Sequence, residues 1–457
     1  MTNLRSSPTR KGAFLPKIIH RNLAPFALLL ALVLIPGAAP AFASSLSMED
    51  DVYPGFGISA NPAATNLTTG SGEAQRLVLE QLGIKDDHGV RFGGIWLADS
   101  NWLMSGGAQP GAVSENSVFI LDSHIDLEKL TGWWKGASFG AEFLQLNASR
   151  TNQQAGSVQG YNSIPGPDPL NRSELYQLWI RQELFDGKFS FRIGKVSPTF
   201  DFGNVLRPVP LDDRAGFIPA VSGLLFTPAF INPTMLGVSP GYYNSACGVT
   251  LHFTPVKWWY LNYGAYDGNI AHGEQTGLMG PKFNGYFYHI AETGFLWQLG
   301  RDQLPGQLSL GGWHQTGLLQ GPPGISEDGA NGFYAFGSQR LWYRQPGVNS
   351  SGITSFFQVG TNDSATLPVN RYLGAGFTAF GLVPCRPDDS TGIGIAWSRL
   401  NRNIFQRNSE LMLQAYYQAR ITDGVYLEPA LTYIPTPGAS PDLKSAWAGT
   451  LRLTILF

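Results

Sequence analysis

Thr450-Leu451-Arg452-Leu453-Thr454-Ile455-Leu456-Phe457 closes the chain. Leu451, Leu453, Ile455 and Phe457 take every second position, and Thr450, Arg452 and Thr454 stand between them. A period of two gives a strand with one apolar and one polar face. At the end of a water-soluble protein such a strand would fray or aggregate. In an outer-membrane barrel it is the closing stave. Its apolar face meets lipid, its polar face meets the lumen, and pairing with the first strand removes both edges.

The remaining sequence favours the barrel. Arg5, Arg10, Lys11, Lys17 and Arg21, with no acid among them, precede an apolar run from Phe26 to Ile35 and then Ala41-Phe42-Ala43. This pattern predicts a secretory signal peptide over residues 1–43. No later stretch reaches the ~20 uninterrupted apolar residues of a membrane helix. The nearest, 216–231, is cut by Pro219 and Pro228, so membrane entry must be by strands. Charged residues make up 14% of the chain and hydrophobic ones 43%, whereas soluble domains carry about 25% charge. A surface this poor in charge needs lipid over part of it. The 55 glycines and 12% aromatics suit barrel walls and interfacial girdles. Without the signal, 26 basic residues face 33 acidic ones, a net charge of −7. That balance argues against nucleic acid as a partner.

Residues 44–89 read as an N-terminal periplasmic segment. Within it Leu77, Val78, Leu79 and Leu82 alternate with Glu73, Arg76, Glu80 and Gln81, predicting a short amphipathic helix at 72–82. From 90 to 457, segments of roughly ten residues alternate in character, as barrel strands do. Short connections are expected at 186–187, 254–256, 346–349, 384–389 and 423–424. Long ones are expected near 104–115, 147–173, 196–244, 267–282, 316–330, 360–370, 401–408 and 435–445. The expected fold is all-β: a transmembrane antiparallel β-barrel of about 16 strands, with both ends on the periplasmic, short-turn side.

Strand phase then sorts the wall. Over 175–185, Tyr176, Leu178, Ile180 and Leu184 are expected outward, and Gln177, Trp179, Arg181 and Glu183 inward. Over 189–193, Phe189, Phe191 and Ile193 alternate with inward Ser190 and Arg192. Over 119–128, Asp122, His124, Asp126 and Glu128 are assigned inward. Residues 286–297 show no clear phase. Trp133-Trp134 and Trp258-Trp259-Tyr260 stand beside short turns and read as a periplasmic aromatic girdle.

Four stretches resemble the OprB family of carbohydrate-selective porins. They are Ile125-Asp126-Leu127-Glu128-Lys129-Leu130 with Gly132-Trp133; Gln177-Leu178-Trp179 through Phe185-Asp186-Gly187-Lys188 to Arg192-Ile193-Gly194-Lys195; Gly381-Leu382 through Arg386-Pro387-Asp388-Asp389 to Gly392; and Tyr433-Ile434-Pro435 to Gly438. The resemblance implies a barrel of about sixteen strands that lets neutral sugars, glucose foremost, diffuse across the outer membrane. The terminal aromatic Phe457 resembles the tag read by the outer-membrane assembly machinery. Lipid and lipopolysaccharide are the expected surroundings, with the assembly a monomer or a trimer. Cys385 and the Pro-rich 196–244 stretch depart from the family pattern.

A sugar has hydroxyls at its edge and C–H patches on its faces, so a selective pore needs planar polar groups beside aromatic rings. Asp126, Glu128, Gln177, Trp179, Arg181, Glu183 and Arg192 are therefore the candidate pore-lining and sugar-contact residues. The same charges also fit a solvated wall tied by cross-strand pairs. The 196–244 loop carries Phe217, Ile218, Leu224, Leu225, Phe226, Phe230 and Ile231. It is too apolar to float in water, and the expected cover is the barrel interior; the outer rim is the alternative.

No catalytic residue, metal or cofactor is expected. Seven histidines include no closely spaced pair, and Cys-x-x-Cys and a phosphate loop are missing from the sequence. The expected function is passive diffusion of monosaccharides and small neutral solutes. A general porin and a barrel hydrolase are the alternatives.

The strand order places Cys247 near the outer rim and Cys385 in a periplasmic turn, separated by a band of ~25 Å, which is beyond disulfide reach. Mass spectrometry of the alkylated, unreduced protein should find both thiols labelled, and a bridged peptide would refute the strand order.

Overall fold

The computed structural model describes residues 89–456 except 207, 211–216, 220–222, 242, 347–350 and 423. The expected signal peptide, the helix expected at 72–82 and the expected rim position of Phe457 lie outside the described residues. Chain order begins with β1 (Val90–Ser105), β2 (Val113–Asp126), α1 (Leu127–Thr131), β3 (Ala137–Asn147), α2 (Thr151–Ala155), β4 (Asn171–Leu184) and β5 (Phe189–Val196). Two short strands, β6 (Pro208–Pro210) and β7 (Phe217–Pro219), pair only with each other. Next come β8 (Ala246–Val256), β9 (Trp259–Asp267), β10 (Phe287–Leu299), β11 (Leu304–Gln320) and β12 (Ser326–Tyr343). The series ends with β13 (Gly352–Asn362), β14 (Val369–Phe380), β15 (Ser390–Leu400), β16 (Ser409–Thr422), β17 (Val425–Ile434) and β18 (Ala446–Leu456).

Sixteen of these strands form one closed antiparallel barrel, with β5 pairing β8 and β1 pairing β18. Closure leaves no backbone edge to face lipid. Both ends of the barrel chain lie with turns such as 185–188, 257–258 and 300–303. The longest connections, 148–170 and 197–245, emerge from the opposite end. That asymmetry orients the short turns toward the periplasm. The connection expected near 316–330 shrinks to 321–325, because β11 and β12 run for 17 and 18 residues.

The seam shows why the last strand reads as it does. Asp99 and Asn101 of β1 stand opposite Arg452 and Thr450 of β18. Arg452 Nε and Nη2 donate to the two Asp99 carboxylate oxygens at 2.7 and 2.8 Å, and Thr450 Oγ1 donates to Asn101 Oδ1 at 2.8 Å. All four side chains are buried in the interior, while on the outward face Trp447 is exposed and Leu451, Leu453 and Ile455 are half-buried. The polar half of the alternation thus locks the two ends of the sheet together, and the apolar half meets lipid.

Two expectations about the faces of the wall need correction. A bulge in β4, where Glu142 pairs with Gln177 but Phe143 pairs with Leu175, turns Tyr176 inward beside Gln177. An extra residue on one strand breaks the count of two, so Tyr176 is buried rather than lipid-facing. In β9 the alternation carries on from the turn, so Trp259 faces out while Tyr260 is buried inside, away from the expected girdle. Trp133 and Trp134 do stack at the periplasmic end, with rings 5.6 Å apart, and Trp258 stacks on Phe295.

The Arg386-Pro387-Asp388-Asp389 stretch is a turn clamp. Arg386 Nε donates to Asp389 at 2.7 Å and its Nη2 to Arg420 O at 2.9 Å. The bond to Asp389 raises the Arg386 pKa. Asp389 also accepts from Arg420 N at 3.0 Å and from the Tyr417 hydroxyl. Cys385, exposed in this turn, and Cys247, in β8, are both free.

Removing one member of a buried ion pair leaves an uncompensated charge and costs about 3–5 kcal/mol. Asp99→Ala and Arg452→Met should each lower the urea midpoint of the refolded barrel, followed by tryptophan fluorescence, by more than the double variant does. Single variants that unfold at the wild-type midpoint would show that the seam does not depend on this pair.

Candidate functional site

The lumen is crossed by two loops. Leu224, Leu225, Phe226, Ala229, Met235 and Val238, from the 197–245 connection, share one buried cluster with inward wall aromatics including Tyr288, Trp313, Tyr334, Phe356 and Tyr416. Burying this apolar set against the wall removes it from water. The loop backbone is held by polar wall side chains. Gln414 Oε1 accepts from Leu225 N and Phe226 N at 2.5 and 3.2 Å. Asn232 Nδ2 donates to Val359 O at 3.0 Å, and Asn362 Nδ2 donates to Thr234 O at 2.8 Å. Glu292 accepts from Gly203 N at 2.6 Å and from the Tyr260 and Tyr334 hydroxyls at 2.7 and 2.8 Å.

The inward aromatics fit because glycines stand beside them on the neighbouring strand. A Cβ on Gly311 would lie 2.1 Å from the Tyr334 ring, and one on Gly140 would lie 2.2 Å from the Trp179 ring. Each ring therefore lies flat along the wall instead of projecting across the lumen.

The 148–170 connection also turns inward, and the sequence gives no sign of it. Glu410 of β16 is fully buried and accepts from Ser157 Oγ at 2.7 Å, Val158 N at 2.8 Å, Gln159 N at 3.2 Å and Gly438 N at 2.6 Å. Asn162 Nδ2 donates to Asp99 Oδ2 and Asn101 Oδ1 at 2.7 and 2.8 Å, which ties this loop to the seam. Thr227 N donates to Gly160 O at 3.0 Å, joining the two loops. Burial, with Asp99 nearby, pushes the Tyr161 hydroxyl well above its ordinary range, so it stays protonated.

Five of the candidate residues face inward on β4 and β5. Gln177 Oε1 accepts from Ser197 N at 2.9 Å, fixing the start of the long loop. Its cross-strand partner is the buried Glu142, which the sequence reading does not single out. Arg181 and Glu183 pair at 2.8 Å. Arg192, opposite Arg181 in register, bonds to Asp201 of the long loop. Its guanidinium also lies 5.5 Å from the Trp179 ring centroid, a cation–π distance. Trp179 is thus covered by Arg192 on the ring and by the wall at Gly140, with His124 5.9 Å away. It offers no open platform for a sugar in this arrangement; it supports Arg192.

Asp126 and Glu128 stand apart from this group. Asp126 caps α1, accepting from Lys129 N at 3.0 Å, and Glu128 accepts from Gly136 N at 3.1 Å. The alternation holds as far as Asp126 because this residue is at once the last of β2 and the N-cap of α1, and Glu128 lies beyond it in the helix. Both side chains are spent on building the periplasmic turn.

One motif passed over in the sequence is Gly237-Val238-Ser239-Pro240-Gly241, which spells the glycine-x-serine-x-glycine pattern of hydrolase nucleophiles. Ser239 Oγ donates to Pro240 O at 3.1 Å within the long loop, and no strand leads into the motif or helix out of it. The pattern lacks the elbow that such chemistry needs. Among the described residues there is no group of three metal-ligating side chains.

Comparison with known proteins agrees with this architecture. Residues 115–457 match the family described as carbohydrate-selective porin, OprB family. Porin B of Pseudomonas aeruginosa is 24% identical over 396 residues, covering 74% of this chain and 81% of that protein. The putative porin QuiX of Acinetobacter baylyi is 22% identical, covering 81% of this chain and 90% of its own. The high-pH structure of Pseudomonas putida OprB superposes with a TM-score of 0.70 at 19% identity, covering 86% of this chain and 98% of that one. By family match and by fold, the chain belongs to the OprB family of carbohydrate-selective porins and is an outer-membrane sugar porin.

Proposed function

We propose that the barrel passes monosaccharides and similarly small neutral solutes by passive diffusion, with the 196–244 loop setting the aperture. The reading rests on one observation above others: Arg192 of the wall bonds to Asp201 of the loop, beside the Arg181–Glu183 pair. Opposite charges held at one level orient water and polar solutes without forming a net ion trap. Arg181 and Glu183 are the proposed sugar-facing groups; Gln177 and Arg192, both buried, are proposed to anchor the loop, and Trp179 to hold Arg192 in place.

Throughput requires weak binding. A millimolar site corresponds to about −4 kcal/mol, which a few solvent-exposed hydrogen bonds supply. The reading includes no catalytic step, in keeping with relatives that are porins by name. The alternating terminal strand is proposed as the element read during outer-membrane assembly.

Planar-bilayer conductance in the presence of glucose tests the proposal. Concentration-dependent block is expected, and unchanged current at all sugar concentrations would favour a plain hole. Arg181→Ala should alter glucose flux into liposomes several-fold more than it alters small-ion conductance; equal effects would remove Arg181 from sugar recognition. Replacing residues 223–240 with a short Gly-Ser linker, in a barrel verified as folded by its heat-modifiable mobility, should raise ion conductance several-fold. Wild-type conductance in that variant would locate the constriction elsewhere.

A further inference from the structure

The outer face of the barrel carries a basic pair that sugar passage does not use. Arg371 of β14 and Arg399 of β15 are direct partners in register, and the residues beside them, Tyr372 and Ser398, are buried inside. Both arginines therefore point outward, at the end of the wall where the long connections emerge. Toward the periplasm the outward pairs become Leu373–Trp397, Ala375–Ile395 and Phe377–Ile393, with Leu373 50%, Phe377 51% and Ile393 58% exposed. The arginine pair thus marks the upper limit of the lipid-facing band.

Like charges placed directly opposite on a sheet repel. Their outward neighbours in register, Thr361 on β13 and Ser409 on β16, supply no carboxylate. Above them the 363–368 and 401–408 connections add Arg402, and the whole lines a cleft of about 630 Å³. Asp363 is the one carboxylate lining this cleft, and it pairs with none of the three arginines. Among the described residues, Arg371, Arg399 and Arg402 make no ion pair and no side-chain hydrogen bond.

The cleft is held in shape. Asn401 Nδ2 donates to Ser364 O and Leu367 O at 3.2 and 2.8 Å, Asn401 N to Pro368 O at 3.0 Å, and Asn403 Nδ2 to Ala365 O at 3.0 Å. Glu327 accepts from Ala365 N at 2.9 Å and Thr366 N at 3.3 Å. Two loops stitched together in this way hold Arg402 on the same cleft that Arg371 and Arg399 line, at low ordering cost.

We infer that this cleft binds the phosphate-bearing head group of an outer-leaflet lipid, with phosphate oxygens between Arg371, Arg399 and Arg402 and acyl chains along Leu373, Trp397 and Phe377. Arginine forks match phosphate oxygens two at a time, and an anion between the pair turns their repulsion into attraction. The exposed apolar stripe immediately below favours a lipid over a free anion, because only a lipid covers both surfaces at once.

The test is native mass spectrometry of the full folded porin in a phosphate-free, uncharged detergent. Diphosphoryl lipid A, the same lipid after phosphatase treatment, and inorganic phosphate are offered separately. Diphosphoryl lipid A adducts should survive activation, and the dephosphorylated lipid should fall to the background level. In Arg371→Ala/Arg399→Ala, adducts should drop at least tenfold, while the double Lys variant keeps part of the binding and Arg344→Ala, in a turn at the opposite end, keeps all of it. Equal retention by the double alanine variant, or by the dephosphorylated lipid, would overturn the inference. Arginine-dependent binding of inorganic phosphate as strong as that of the lipid would reduce the cleft to an anion site. A change in subunit number in the double variant with lipid adducts intact would instead make the face a contact between copies, and would equally overturn the inference.

Discussion

Everything in this fold depends on the requirement that a sheet in lipid have no edge. Each backbone N–H and C=O within the hydrocarbon layer must find a partner, and only closure provides one for the first and last strands. The meeting of β1 and β18 is therefore the condition on which the other fourteen wall strands stand. It is reinforced from the inside, where Asp99 and Arg452 form a two-pronged bond away from bulk water. Hydrogen bonds of this charged kind are roughly twice as strong as neutral ones. The lipid-facing side contributes only apolar cover, which does not discriminate one register from the next.

Closure creates a second problem, because a barrel this wide encloses a channel too large to be selective. The interior is accordingly divided. Aromatics lie flat against glycines on one part of the wall and receive the apolar 197–245 loop. Elsewhere the wall presents carboxylates, amides and guanidinium groups that hold loop backbone or one another. Abundant glycine and aromatic residues, odd for a soluble protein, are two halves of one packing device. Glycine removes the Cβ where the ring must lie, and the ring supplies the area the loop needs for burial.

The outline of this arrangement was legible in the sequence. The period of two in β5 and β18 assigns their faces correctly, and the alternation of short and long connections yields the strand number. Failures occur where a local device imitates or interrupts that period. Asp126 keeps strand phase while acting as a helix cap, and the bulge at Tyr176 and Gln177 adds a residue that no composition signal announces. Partners distant in sequence were also hidden. Nothing near residue 157 indicates that Glu410 will bond to it, and Trp179 looks available until Gly140 and Arg192 are placed beside it. Arg371 and Arg399 become neighbours only once register is known.

The tie between the 148–170 loop and the seam bears on the order in which the molecule can be assembled. Asn162 bonds to Asp99 and Asn101 of the first strand, and Ser163 accepts from Arg452 of the last strand at 3.3 Å, across 289 residues of chain. A loop stitched to both staves of the seam cannot reach its final position before those staves meet. Contacts so distant along the chain are the slow ones to form. The lumen thus takes its final shape after the wall has closed, so an unfinished barrel is a wide one and narrowing of the passage is the last event in making it.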